Sequence, residues 1–429
     1  MDKTIHASLN EDYIHPVRDV LWGHIYMTEE FALLTESAPF MRLNRIMQLG
    51  PVYLVYPGAT HTRASHSIGV YHLGRRLLQN LAERGASQWL TPQGVKSFLA
   101  ACLLHDLGHF PYTHSLKEIS LSSHEALSGA IILKEPMKSL VGATGADPEL
   151  TAAIVDKEMN IPGDELLFYR KLLSGALDPD KLDYLNRDAR YCGVPYGAQD
   201  VDFILSRLIP NKEKGVIIDS RLIPNVESVL FSKYLMYRTI YWHRQVRAAT
   251  AMVKKALITS LESGKITGED LYDLDDMSLF TLLEQKASSL CENNSLIDSI
   301  RNSKTYITAA EFSPKQVNMP ALRAISSRAQ LEERLAAKFS QEGLKIKGED
   351  IIIDIPEPVS FETGLYVLDE NCSFSSSSSA FKEETVNAFI NTLYTIRVYI
   401  NQKYKESLKT FTESYDILRR ELEALNGHS

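Results

Sequence analysis

The chain has 429 residues, a net charge of -8, 44% hydrophobic and 23% charged residues, which is an ordinary globular composition. It is long enough to bury a core without disulfides, and at about 100–200 residues per domain it makes two or three domains, or one large domain with an appendage. No long basic run offsets the acidic balance, which argues against broad nucleic-acid binding while leaving room for a local basic pocket.

The cysteines, Cys102, Cys192, Cys291 and Cys372, stand too far apart for a zinc knuckle, and a disulfide framework is not expected in so large a chain. The first residues, MDKTIHASLNEDYIHP, lack the basic-then-apolar order of a signal peptide, and no stretch approaches the roughly 18 apolar residues of a membrane span. A cytoplasmic protein without a membrane partner is the expectation.

In chain order, the first 40 residues mix apolar runs with turn formers and predict a strand or hairpin around residues 20–26, bent at Gly23. From about Phe40 to Ser260 the period is helical. Val70, Leu73, Leu77, Leu78 and Leu81 recur at three- and four-residue steps, and Gly85 closes that helix. Residues 95–107, nearly all apolar before Gly108, predict a buried helix, and residues 225–262 another long one. The texture changes after about residue 300. Residues 331–339 predict a helix, and 350–355 and 364–368 are β-rich runs separated by Pro356 and Pro358, together a small α+β lobe. The serine-rich run 373–379 reads as a flexible loop. Residues 381–425 predict one or two amphipathic helices, with Val386, Phe389, Ile390, Leu393, Ile396 and Val398 on or near one face, serving as core or subunit interface.

The chemistry concentrates in the helical part. Seven of the 12 histidines (His61, His66, His72, His105, His109, His114 and His124) fall between positions 61 and 124, where even spacing would put about two. Histidine is the commonest metal ligand and is costly to bury unpaired. In LLHDLGHFPYTH, residues 103–114, a His-Asp pair ends an apolar helix, and coordination would satisfy both groups. Upstream, HTRASHSIGVYH puts His66 at the start of a helix. Downstream, DPDKLDYLNRDARYCGV holds Asp178, Asp180, Asp183 and Asp188 within eleven residues. Two nitrogen and two oxygen donors on separate helices suit Mn²⁺, Fe²⁺, Zn²⁺ or Mg²⁺.

The segments RLNRIMQLGPVYLVYPGATHTRASHSIGVYHLG, LLHDLGHFPYTH, SHEA, DPDKLDYLNRDARYCGV and RTIYWHRQV run in this order. Between about Val17 and Val246 the chain resembles the HD-domain deoxynucleoside triphosphate triphosphohydrolases, the family of the SAM-and-HD-domain protein and its bacterial relatives. With the resemblance, the expected fold is mainly α: an HD-domain helical core over residues 1–290, then a C-terminal α+β lobe with a helical tail over 291–429.

The resemblance implies a divalent metal ion (Mn, Mg, Fe, Zn or Ni) held by His66, His105, Asp106 and Asp180, with Asp178 the nearest rival to Asp180. It places His109, His114 and His124 around the scissile phosphate. His124 and the adjacent Glu125 would pair as proton donor and orienting group. Arg63, Lys181 and Lys233 match phosphate contacts, Tyr184, Asp188 and Tyr241 surround the deoxyribose, and Gln48 and Leu49 lie near sugar and base. A tyrosine ring against the sugar C2 edge leaves little room for a 2′-hydroxyl.

Two departures stand out. Lys117 occupies an acidic register of the family, with Glu118 next to it. At the positions that bind a guanine-nucleotide activator in animal members, this chain has Glu36, Met41 and Asn44, which disfavours such activation. The HD region begins near the N-terminus, so no SAM domain is expected. The implied activity is hydrolysis of dNTPs to deoxynucleoside and triphosphate by a homo-oligomer, dimer or tetramer. The alternatives are an HD phosphohydrolase acting on another nucleotide or phosphomonoester, and a nucleotide-binding regulator with little turnover.

Overall fold

The computed structural model describes residues 2–119, 121–287, 291–314, 316, 322–410 and 414–423. It is mainly α-helical, as expected, with a few small antiparallel sheets. The N-terminal hairpin pairs His15–Asp19 with Gly23–Met27, so strands flank the predicted bend, and Gly23 takes φ +73. Asp19 shapes the turn by accepting the N–H groups of Leu21 and Trp22 at 2.8 and 3.0 Å.

The helical core is built on Arg63–Glu83, Pro92–Leu104, His124–Leu133 and Pro179–Cys192. Each starts on a side-chain cap that satisfies an otherwise unpaired N–H: Thr62, Thr91, Ser123 and Asp178 respectively. Pro92 and Pro179 each open the first turn of their helix, where a missing N–H costs nothing. The predicted 95–107 helix ends earlier, at Leu104, which frees His105 and Asp106 from the helical ladder. The following turn is drawn tight against the next helix. A Cβ on Gly108 would lie 2.2 Å from the His124 carbonyl oxygen, so no other residue fits there.

The long helix predicted over 225–262 is two helices, Ile223–Met236 and Arg244–Glu262, joined by a π-helical turn Tyr237–Tyr241. The bulged turn swings Tyr241 inward, and such single turns recur at functional sites.

The C-terminal lobe departs most from expectation. Ile396 and Val398 do not continue a helix. The helix Glu383–Leu393 stops, and Ile396–Ile400 forms the central strand of a three-stranded antiparallel sheet between Ile307–Phe312 and Ile351–Asp354. Every residue of that strand is buried. Tyr399 and Ile352 pack toward helix Arg244–Glu262, and Val398, Ile400, Ile351 and Ile353 toward helix Ile325–Gln341. Burial on both faces removes the alternation that marks a half-exposed strand.

The serine run 373–379 is not a flexible loop. Cys372–Ser373 pairs with Tyr366–Val367, and Phe374 is fully buried. Glu227 accepts from Ser379 Oγ and Ala380 N–H at 2.7 Å each. The hydroxyls here serve as hydrogen-bonding groups in place of regular secondary structure. No described helix is long and apolar enough to cross a membrane.

Candidate active site

Three helix ends and one turn converge on a single point. His66 lies one turn into Arg63–Glu83, His105 and Asp106 follow Pro92–Leu104, and Asp180 sits in the first turn of Pro179–Cys192. His66, His105 and Asp106 hold donor atoms within 4.8 Å of one another. Asp180 Oδ1 lies 3.0 Å from His66 Nε2 and 4.0 Å from His105 Nε2.

The far nitrogens of both histidines are occupied. His66 Nδ1 is 2.8 Å from Asp183, and His105 Nδ1 is 3.0 Å from the Cys102 carbonyl oxygen. With Nδ1 as donor in each, both Nε2 atoms face the shared point, which is how metal-ligating histidines are oriented. The donor set therefore fits a divalent cation. Burial alone would lower the His66 imidazole, but its hydrogen bonds to the Asp180 and Asp183 carboxylates push it up to about 10. Those carboxylates favour positive charge at this spot, whether proton or metal.

Asp178 and Asp180 differ in geometry. Asp178 is turned away: it caps the helix by accepting the Lys181 N–H at 2.7 Å and pairs with Lys181 Nζ at 2.8 Å. Burial pushes its carboxyl up to about 6. Asp183 is wholly buried. It binds His66, takes Arg187 Nε and Nη2 at 2.7 and 2.9 Å, and accepts the Trp22 indole N–H at 2.7 Å. A Cβ on Gly69 would lie 1.9 Å from Asp183 Oδ1. The glycine three residues after His66 and the aspartate three residues after Asp180 are the signals that mark this support.

Asp106 joins the cluster to a second group. Its Oδ2 meets Arg63 Nη1 at 2.8 Å and its Oδ1 meets His109 Nε2 at 3.2 Å. His109 stacks on His124 with ring centroids 3.9 Å apart, and the His114 ring is 4.8 Å from His109 and 5.3 Å from His124. Asp106, His109 and His124 also hold donor atoms within 4.8 Å of one another. Burial holds the His109 and His124 imidazoles well below the usual range, with Arg63 adding to the effect at both. His124 Nδ1 lies 3.1 Å from Glu125. Neither Lys117 nor Glu118 supplies the family's acidic neighbour. Glu118 Oε1 accepts from Lys254 at 2.5 Å and Arg328 at 2.6 Å, while Lys117 adds positive charge beside His124.

The remaining predicted residues fall into two groups. Asp188 Oδ2 accepts the Tyr241 hydroxyl at 2.6 Å and Oδ1 meets His61 Nε2 at 2.8 Å. Tyr184 and Tyr237 pack beside Tyr241, and burial raises both the Tyr184 and Tyr241 hydroxyls. Gln48 N–H donates to the His61 carbonyl at 3.0 Å, its buried Oε1 has no partner, and Leu49 packs against the core. Lys181 and Lys233 meet at Glu362, at 3.9 and 2.9 Å, and Lys233 also donates to the Ser360 carbonyl at 2.7 Å. The sequence reading counts His61 in the histidine cluster without giving it a role, and misses Glu362. His61 stands in the HTR motif; nothing local marks Glu362.

Histidines and aspartates from three helices around one point, with an arginine on the shared aspartate, define the HD class of phosphohydrolase. The chain belongs to that family: the HD domain model matches residues 63–165, and the HD associated region model matches residues 200–423. An uncharacterised protein of Methanocaldococcus jannaschii is 30% identical over 362 residues, 82% of this chain and 72% of that one. The deoxynucleoside triphosphate triphosphohydrolase SAMHD1 of Bos taurus is 23% identical over 397 residues, 80% of this chain and 67% of that one. A crystal structure of a hypothetical protein from Aquifex aeolicus superimposes with a TM-score of 0.68 at 26% identity, over 92% of this chain and 99% of that one. Among the archaeal and bacterial relatives it matches, the chain spans 51–72% of their length.

Proposed function

We propose that the protein hydrolyses deoxynucleoside triphosphates to deoxynucleoside and inorganic triphosphate, with a divalent ion held by His66, His105, Asp106 and Asp180. The observation that carries this reading is the continuity of the donors: Asp106 is shared with Arg63, and Asp180 is followed directly by Lys181. A candidate cation site and a candidate phosphate site therefore adjoin, beside a cluster of tyrosines. The name of the SAMHD1 relatives supports the substrate class.

A bound divalent ion would supply Lewis acidity toward phosphate oxygen and acidify water. The protein's own groups divide the remaining work. Arg63 presents a planar fork to a phosphate group, and Lys181 and Lys233 offer point charges to the tail. His124, oriented by Glu125, delivers a proton to the leaving oxygen once the polyanion raises its affinity for one, and His109 stacks behind it. Tyr184 and Tyr241 close around the sugar, with Asp188 fixing the Tyr241 ring and leaving little room for a 2′-hydroxyl. We further read residues 1–290 and 291–429 as the two parts of the chain, and the protein as a dimer or tetramer, a state that light scattering of the purified protein reads directly.

The alternative of a smaller phosphoester substrate is favoured by one observation: both lysines already carry a carboxylate, Glu362. Incubation with each dNTP and Mn²⁺ or Mg²⁺ separates the two. Nucleoside plus triphosphate supports the proposal. Absence of turnover on every dNTP, or monophosphate products alone, rejects it.

A further inference from the structure

Every cation assigned to the phosphate tail is already neutralised from within the chain. Lys181 is bound by Asp178, and Lys233 by Glu362, whose carboxylate also faces Lys181. The two pairs differ in kind. Asp178 is a buried helix cap that cannot leave without uncapping Pro179–Cys192. Glu362 lies in the irregular segment after Ile351–Asp354, its side chain 36% exposed, held among the described residues by Lys233, Lys181 and the Ser360 hydroxyl at 2.9 Å. Lys233, by contrast, is 5% exposed, and its ammonium is anchored to the Ser360 carbonyl. Here a buried cation meets a carboxylate that is part-exposed and belongs to no regular element. Phe361 lies under the ammonium, its ring centroid 5.5 Å from Nζ, and packs against Phe389, so the strap carrying Glu362 is anchored beside it.

We propose that Glu362 determines specificity for the phosphate tail: it occupies, in cis, the seat of a terminal phosphate on Lys233 and Lys181. A ligand reaches that seat only by displacing the carboxylate. A carboxylate and a phosphate present oxygens to a lysine ammonium in similar ways, so the exchange swaps one anion for another. Among ligands that reach the seat, those bringing more than one negative charge displace the carboxylate best. An orthophosphate or a short phosphoester held at the metal end never reaches Lys233 and meets no competition. A tripolyphosphate tail does. The resident competitor therefore weakens only those ligands long enough to reach Lys233, a discrimination by chain length that needs no steric wall. This inference rests on the reading that Lys181 and Lys233 hold the tail, but it concerns binding and not hydrolysis.

The test uses inorganic tripolyphosphate and orthophosphate as probes, titrated calorimetrically into the full chain at fixed divalent metal concentration. Glu362→Gln keeps the shape and removes the charge; Glu362→Ala repeats the test should the amide hold the lysines in another way. Tripolyphosphate binding is expected to tighten at least about fivefold, the scale of one unit charge removed at close range from a polyanion in a wet site. Orthophosphate binding is expected to move less than about twofold, and in a Lys233→Ala background, where Lys181 alone remains at the seat, the effect of Glu362→Gln on tripolyphosphate is expected to shrink. Unchanged, weaker or undetectable tripolyphosphate binding in both variants, with melting temperatures at the parent value, overturns the proposal. So does equal tightening of both probes. If tripolyphosphate tightens as expected while no dNTP is turned over, the hydrolase reading fails and the role of Glu362 stands.

Discussion

Asp183→Asn tests whether the buried carboxylate behind His66 organises the site. Asp183 receives four hydrogen bonds: Oδ2 from His66 Nδ1 at 2.8 Å and Arg187 Nε at 2.7 Å, Oδ1 from Arg187 Nη2 at 2.9 Å and Trp22 Nε1 at 2.7 Å. An asparagine must replace one of those oxygens by an NH₂ group. In one orientation the NH₂ faces His66 and Arg187; in the other it faces Arg187 and Trp22. Either way two donors lose their acceptor at a site with no exposure, and Arg187 keeps only Asp19 as an ionic partner, at 2.8 Å. Breaking a buried pair from one side costs about 3–5 kcal/mol. Loss of the outer partner of a metal-ligating histidine costs roughly 10–100-fold in metal affinity. Both quantities are measurable on one preparation, by urea denaturation and by competition with a metal indicator. Stability within 1 kcal/mol of the parent, as an order-of-magnitude threshold, together with unchanged metal affinity would refute the reasoning.

Gly69→Ala should destabilise the protein and weaken metal binding, although glycine to alanine inside a helix ordinarily gains about 1 kcal/mol; the new Cβ would sit 1.9 Å from Asp183 Oδ1, and a melting curve gives the sign. Glu118→Gln should lower turnover on the order of tenfold or more, because the carboxylate ties the His114 loop to Lys254 and Arg328; steady-state kinetics should show the loss in kcat. Asp276, which accepts the Met47 N–H at 2.8 Å, is pushed up to about 6 by burial. Its folded pKa lies above its unfolded one, so the folded state binds the extra proton, and this contribution to stability is lost as pH rises from about 4 through 6. Asp276→Asn should remove that slope, as read by denaturation at pH 4, 5, 6 and 7, chosen to span the window in steps of about one unit.

What the sequence reveals is what is local. His66, the His105-Asp106 pair and Asp180 each sit in a short motif bounded by a helix cap or helix end; the structure brings the first three within 4.8 Å and sets Asp180 Oδ1 3.0 Å from His66 Nε2. Asp178 reads as a rival because spacing alone cannot say which aspartate of a DxD pair turns inward; its role as the helix cap separates them. Glu362 lies 129 residues from Lys233 in sequence and carries no motif, so only the fold pairs them. The strand Ile396–Ile400 is mistaken for helix because an apolar helix precedes it and burial on both faces erases its two-residue period. The serine run 373–379 misleads in the opposite way. Composition suggests solvation, whereas Phe374 anchors the segment and Glu227 and Glu370 accept its hydroxyls and amides. Tyr241 owes its position to a π-turn that no helical periodicity announces.

The central claim is that His66, His105, Asp106 and Asp180 hold a divalent metal. Elemental analysis by mass spectrometry of the purified protein, run beside His105→Ala and Asp106→Ala, tests it most directly. The account predicts a stoichiometric divalent metal in the parent and its loss in both variants, with their folds retained by circular dichroism. Equal metal content in all three proteins, or none in a parent equilibrated with Mn²⁺ and desalted, would contradict it.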